Sequence, residues 1–290
     1  MKPAPFAYVR PASVADAVRE LSENAGTARV LAGGQSLVPM LHMRLMRPEV
    51  LVDINSLAGE LGGIEPRGSE TVIGALVRYT ELETSPVVAE RLPLLPRVVR
   101  HVGDRQVRNR GTIGGALVQA DPTGEIPLAC LALGGQVVAR SAAGERTIPI
   151  EEFFDGSYAS ALEPEEMLVS VRLPLSPQHC AFFERGRKHN DFAVLSMAAL
   201  GNRDADGRWQ SVRIALGGVN DRPVLARAAA ERLEGRSWDG AGIDEAVRLA
   251  LEVVDPPDDV RASAGYREHL LPVHVRRLLT DLWRKGVPGA

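Results

Sequence analysis

Val30-Leu31-Ala32-Gly33-Gly34-Gln35-Ser36-Leu37 and, about eighty residues later, Arg110-Gly111-Thr112-Ile113-Gly114-Gly115-Ala116 are the stretches on which the reading of this chain turns. Each follows a short apolar or β-prone run and sets small residues where the backbone must bend. Amides at a tight glycine turn point outward as a nest, so an anion is held by several donors with no side chain to order. Glycine also lets the anion approach the backbone closely. Two such turns on one folding unit could grip a large anionic ligand from both sides.

Working outward, Arg29 to Leu31 reads as a strand, Ser36 to Leu45 as a helix opening on a Ser cap, and Val50 to Ile54 as a second strand. Thr71 to Val77 is a further strand and Thr80 to Glu83 a short helical turn. Val87 to His101 is a helical stretch broken by Pro93 and Pro96. After the second glycine turn, Asp121-Pro122 is expected to start a helix that Gly134-Gly135 ends. Gln136 to Arg140 and Glu145 to Ile150 flank a hairpin, and Leu168 to Leu173 adds a strand. Composition shifts near Ser176, which places the expected domains at 1–176 and 177–290. In the second, Ala193 to Leu200 and Trp209 to Leu216 flank a turn, and Ala226 to Leu233, Asp244 to Val253 and Ser263 to Lys285 are helical in pattern.

The 34 basic and 37 acidic residues give a net charge of −3 with no basic tail, which argues against a nucleic-acid partner. No apolar leader and no membrane-length run is seen, so cytoplasmic residence is expected. Cys130 and Cys180 sit in apolar contexts and read as buried thiols, too few to ligate a cluster. No catalytic triad, zinc-helix pattern or other metal-ligand spacing is present, and no catalytic or metal-binding residue is assigned. The histidines nearest the glycine turns and the basic segment, His42, His101 and His189, read as surface or packing residues. Trp209, Trp238 and Trp283 read as core or interface, and Tyr158, Phe192 and Tyr266 are the better-placed aromatics.

Neither turn has Rossmann spacing, and the P-loop lysine is absent. The surroundings of the second turn favour a dinucleotide all the same. Arg105, Arg108 and Arg110 precede it, suited to a pyrophosphate, while Asp121 and Glu125 follow, suited to ribose hydroxyls. Taken with Ala120-Asp121-Pro122, Glu125-Ile126-Pro127, Asp191-Phe192-Ala193 and Arg261 to Arg267, the two turns resemble the FAD-binding medium subunit of molybdenum hydroxylases. That group includes the carbon monoxide dehydrogenase medium subunit and the xanthine dehydrogenase FAD subunit, and the likeness covers nearly the whole chain.

The resemblance implies an α+β protein: a two-part FAD-binding domain of the p-cresol methylhydroxylase type, then a small domain of sheet plus helices. It further implies that the amides of Leu31, Ala32, Gly33, Gly34, Gln35, Ser36 and Leu37 hold the FAD pyrophosphate together with those of Thr112, Ile113, Gly114, Gly115 and Ala116. Glu125, Asp121 and Asp191 match polar cofactor positions, and Val102 and Leu168 match apolar ones. In the basic segment Arg185 to Asn190 no single residue matches a flavin-contacting lysine; Arg185 and Lys188 are the alternatives. In such complexes a large molybdopterin-binding subunit oxidises the substrate and a small iron-sulfur subunit relays electrons. FAD then passes them to an acceptor. A stand-alone flavoenzyme on the same fold, or a scaffold protein that has lost its cofactor, are the alternative readings.

Overall fold

The computed structural model, which describes residues 1–285 apart from His189 and Trp238, is built on three sheets. The readings of His189 and Trp238 therefore lie outside the described residues.

β1 (Ala7–Val9), α1 (Val14–Glu23), β2 (Ala28–Leu31), α2 (Leu37–His42), β3 (Val50–Asp53) and α3 (Ala58–Leu61) form the first unit. Its sheet is parallel in the order β1-β3-β2, with Ala7 and Ala28 both in register with Val50. β3 is central and buried along its whole length, as a parallel strand covered on both faces must be. α1 begins where the Ser13 hydroxyl accepts from the Asp16 amide. It turns Val14, Ala17, Val18 and Leu21 onto the sheet at helical spacing.

β4 (Ile64–Arg67) and β5 (Glu70–Gly74) open the second unit. Six helices follow: α4 (Tyr79–Thr84), α5 (Pro86–Arg91), α6 (Leu94–Val99), α7 (Arg105–Arg110), α8 (Ile113–Gln119) and α9 (Glu125–Leu133). β6 (Gln136–Ser141), β7 (Gly144–Pro149) and β8 (Met167–Pro174) complete an antiparallel sheet of order β4-β5-β8-β6-β7. The expected hairpin is β6–β7. The expected helix at Asp121 does not form there, because the Asp121 Oδ1 accepts from the Thr123 amide at 2.9 Å and its hydroxyl at 2.8 Å, closing a side-chain turn. α9 instead starts at Glu125 and stops at Gly134, whose φ of +75° makes the left-handed cap.

β9 (His179–Gly186), β10 (Ala193–Arg203), β11 (Trp209–Gly217) and β12 (Val224–Leu225) form an antiparallel sheet backed by α10 (Arg227–Leu233), α11 (Gly240–Leu251) and α12 (Ala264–Lys285). One face, with Leu195, Met197, Ile214 and Leu216, packs on these helices. The other, with Cys180, Ala198, Leu200 and Ala215, joins the core of the second unit around α9. α9 is apolar on all sides after Glu125 because it is enclosed by both units. Arg267 on α12 is fully buried; it donates to the Val194 and Ala262 carbonyls and pairs with Asp259 at 2.9 Å. No helix among the described residues is long and apolar enough to cross a membrane.

Candidate functional site

The two glycine turns, distant in sequence, abut in space. A β-carbon at Gly33 would stand 2.9 Å from the Arg110 carbonyl carbon, 3.0 Å from Gly111 Cα and nearer still to the Arg110 oxygen. Gly111 in turn leaves room for the Tyr79 ring, whose Cδ2 would lie 2.8 Å from a β-carbon there. A side-chain clasp fixes the junction. Asn55 Nδ2 donates to the Ala32 carbonyl at 2.8 Å and to Asp53 Oδ1 at 2.6 Å. Arg78 then donates to Asn55 Oδ1 at 2.6 Å and, through its other nitrogen, to the Arg110 carbonyl. The Tyr8 hydroxyl completes the chain by donating to Asp53. These hydrogen bonds hold Asp53 below the usual carboxylate range against the opposing effect of burial. None of Tyr8, Asp53, Asn55 or Arg78 carries a local motif, so sequence reading passes over them.

The turns differ in what their amides do. The amides of Gly33 to Leu37 donate to no acceptor among the described residues, and Gly34 adopts φ +73°, which exposes consecutive N–H groups on one side. Ser36 stands before α2 but makes no cap hydrogen bond. In the second stretch, by contrast, α8 begins at Ile113, so Gly114 and Gly115 are helical. The Ile113 amide is spent on Val77 O at 3.1 Å, Gly114 on Ala75 O at 3.0 Å, Gly115 on Thr112 Oγ1 at 3.1 Å and Ala116 on Thr112 O at 3.0 Å. The expectation that these four amides grip an anion therefore meets donors already engaged. The glycines here serve packing: a β-carbon at Gly114 would stand 2.8 Å from Ala75. The Thr112 amide has no acceptor among the described residues.

Between the turns runs a cleft of about 470 Å³. Ala32, Gly33, Gly34, Gln35, Ser36 and Leu37 line one side, Thr112, Gly114, Gly115 and Ala116 the other, and Leu168 lines it from β8. Leu31 lies behind the first turn, its Cδ1 3.3 Å from a Gly34 β-carbon, and Ile113 is buried in the core. Met40, Met46, Tyr79, Gln119, Tyr158 and Met167 add to the wall without having been singled out for it, apart from Tyr158. Val102, Asp121, Glu125 and Asp191 do not line this cleft. Val102 belongs to the second unit's core. Asp121 is held by Thr123, and Asp191 Oδ1 accepts from the Phe192 amide at 3.0 Å.

Glu125, at the start of α9, is pushed up to about 7 by desolvation, with the Asp121 charge adding to the effect. Of the basic residues before the second turn, Arg108 pairs with Glu83 at 3.3 Å and donates to the Gly103 carbonyl at 3.0 Å. Arg105 and Arg110 are exposed. Arg185 and Lys188 do not line the cleft; Arg187 reaches the Val260 carbonyl at 3.3 Å. Phe192 is exposed beneath the Arg261 guanidinium, 4.5 Å from its ring centre, and Tyr266 is exposed. Trp209 and Trp283 pack in the C-terminal core with Arg203 against both rings. Cys130 and Cys180 are buried, and His42 is exposed.

The cleft fits a dinucleotide. Its free amides form a cradle for a diphosphate on a turn that the positive φ of Gly34 makes possible, and its apolar walls suit rings. The family pattern described as the FAD binding domain in molybdopterin dehydrogenase matches residues 4–176, and that of the CO dehydrogenase flavoprotein C-terminal domain matches 181–282. The chain is 36% identical to the 6-hydroxypseudooxynicotine dehydrogenase complex subunit alpha of Paenarthrobacter nicotinovorans, covering 99% of this chain and 98% of that one. It is 35% identical to the carbon monoxide dehydrogenase medium chain of Hydrogenophaga pseudoflava, over 98% and 99% of the two. A solved structure of carbon monoxide dehydrogenase from the same organism superposes with a TM-score of 0.94 at 36% identity, covering 98% of this chain and 99% of that chain. This chain belongs to the FAD-binding medium subunits of the carbon monoxide dehydrogenase and xanthine dehydrogenase family, the flavoprotein components of heteromeric oxidoreductases.

Proposed function

We propose that this chain holds FAD with its diphosphate on the Gly33–Leu37 amides and transfers electrons from a small iron-sulfur subunit to an external acceptor. The molybdenum centre that oxidises the substrate belongs to a large subunit, so substrate choice lies outside this chain. The observation that carries the reading is the run of unspent amides at the cleft wall. Their donors are preorganised by the Asn55–Arg78 clasp, so anion binding requires little further ordering. Thr112 adds an amide from the opposite side, and Leu168, Met167 and Tyr79 contribute apolar lining. When bound, the flavin supplies the redox chemistry; the chain supplies binding, orientation and shielding. Glu125, Asp121, Asp191 and Val102 are proposed as outer contacts of the cofactor, beyond the cleft wall. The complex is proposed to work in the cytoplasm.

Co-expression of the neighbouring reading frames and purification through a tag on this chain tests the reading. A yellow complex carrying one FAD per medium subunit, with a molybdopterin subunit and an iron-sulfur subunit, is expected. A colourless chain that binds no FAD would overturn it. Glu125→Ala is expected to weaken FAD binding with the fold retained, and an unchanged dissociation constant would remove Glu125 from the cofactor's surroundings.

A further inference from the structure

Of the three aromatic residues that the sequence singles out, Tyr158 alone lines the cleft. Phe192 is covered by the Arg261 guanidinium, and Tyr266 stands exposed on α12. Tyr158 occupies its place at a cost. Its φ is +59°, in the left-handed region where a bulky side chain is a rare occupant. Its amide donates at 3.0 Å to the carbonyl of Ala120, which caps α8 in the left-handed region as well, at φ +47°. Packing accounts for Ala120, whose side chain is buried in the core of the second unit. Tyr158 is 54% exposed and belongs to no core.

The loop that carries Tyr158 is fixed at base and tip. Phe153 and Phe154 are buried with their rings edge-on at 5.5 Å, and the Ala161 amide returns to the Phe153 carbonyl at 2.9 Å. Between them the Asp155 amide donates to the Ala159 carbonyl at 3.0 Å, closing a tight turn. The connection between β11 and β12 pins this turn from outside. Arg222 donates to the Phe154 carbonyl at 3.0 Å, and the Ser157 hydroxyl donates to the Asp221 carbonyl at 3.1 Å. An unfavourable backbone conformation persists only where its surroundings over-determine it, and such positions cluster at ligand sites. Here the strained residue is one whose side chain stands on the cleft wall.

The diphosphate cradle divides a bound FAD into an adenosine half and a flavin half. The half that exchanges electrons with other molecules has to reach the surface. Tyr158 is the exposed aromatic residue of the wall, whereas Tyr79 is 7% exposed and wedged against Gly111. We propose that Tyr158 is a positioning residue whose ring packs on the flavin at the cleft mouth, fixing its plane and covering one side from solvent. The inference rests on the FAD reading above. Aromatic contact of this kind adds to binding beyond the area it buries. Because the backbone ties place the ring before the cofactor arrives, little ordering is left to binding.

The test uses the full chain and reads flavin fluorescence, the FAD dissociation constant and melting of the apoprotein. A phenol in contact with a flavin quenches its emission, because the excited ring takes one electron from the phenol and returns it at once, so nothing is consumed. Tyr158→Phe keeps the packing and removes the electron donor. Its bound flavin is expected to emit several-fold more strongly than that of wild type, at an unchanged dissociation constant. Tyr79 remains in every variant, so the change reports on Tyr158. Tyr158→Ala and Tyr158→Gly both remove the ring and are expected to weaken FAD binding about tenfold. The glycine variant, relieved of strain at φ +59°, is expected to melt above the alanine variant. Emission as dim as wild type in Tyr158→Phe would overturn the contact with the flavin, and wild-type affinity in Tyr158→Ala would overturn its part in binding. A glycine variant that melts no higher than the alanine variant would overturn the strained placement. A wild-type chain that binds no FAD overturns the flavin reading itself, whereas a wild-type chain that binds FAD beside a dim Tyr158→Phe overturns only the place given to Tyr158.

Discussion

Gly33→Ala adds one methyl group at the point where the two turns touch. The new β-carbon would sit 2.9 Å from the Arg110 carbonyl carbon and 3.0 Å from Gly111 Cα, with the Arg110 oxygen closer still. Its neighbours are backbone, so no flexible side chain can swing aside; the turns themselves must part by roughly 1 Å. Overpacking of this kind costs about 1–3 kcal/mol of stability. Parting the turns also strains the Arg78 bridge between Asn55 and Arg110, which aligns the free amides. A misplacement of about 1 Å in an aligned donor set costs on the order of 100-fold in what the set does. FAD affinity, read by flavin fluorescence on reconstitution, is expected to fall by about that factor, and thermal unfolding of the apoprotein to come several degrees earlier. Gly59→Ala is the control, since a β-carbon there meets nothing within 4 Å. If Gly33→Ala matches wild type in both measurements while Gly59→Ala also does, close abutment of the turns is not what builds the site.

Four further outcomes are expected. Asn55→Ala strips partners from the Ala32 carbonyl, Asp53 and Arg78 at once, so stability should drop by ~1–3 kcal/mol in urea titration and FAD affinity about tenfold. Gly34→Val forces a β-branched residue to φ +73° with Val38 Cγ2 3.1 Å from its β-carbon, and should give apoprotein. Gly114→Val, driven against Ala75, should instead lower the melting temperature whether or not FAD is present. Glu184 and Glu125 make stability depend on pH: their folded values lie above the unfolded ones, so the unfolded chain loses its protons first and stability falls as pH rises from about 4.5 through 7 to 8. Glu184→Gln should therefore equal wild type near pH 4 and exceed it by a few kcal/mol, at most ~5, at pH 9. A gap that does not grow with pH would show Glu184 to be ionised in the fold.

The first turn and the strands around it were legible because their signals are local. A glycine pair after an apolar run, and a hairpin at Ser141 to Gly144, declare themselves within ten residues. The helix that begins within the second turn is hidden for the same reason. Gly114 and Gly115 have the composition of a loop, but the small size of Gly114 answers to Ala75, distant in sequence and invisible in a linear scan, and that of Gly115 to the Thr112 hydroxyl. Asp121 looked like a helix cap, and a hydroxyl two residues on captured it instead. β9 was missed because its last residues run into the basic segment that starts at Arg185, while Glu184 faces inward. The clasp of Tyr8, Asp53, Asn55 and Arg78 is four common residues from three segments, and only the fold brings them together.

The apolar character of α9 on every side has a consequence for biosynthesis. The helix is finished at Leu133, but the strands that cover its far side, β10 and β11, end only at Arg203 and Gly217. At roughly 5–20 residues per second, the ribosome leaves that greasy rod half-clothed for several seconds. A nascent chain halted before β10 should be a client for chaperones and prone to clump, whereas the finished polypeptide should not.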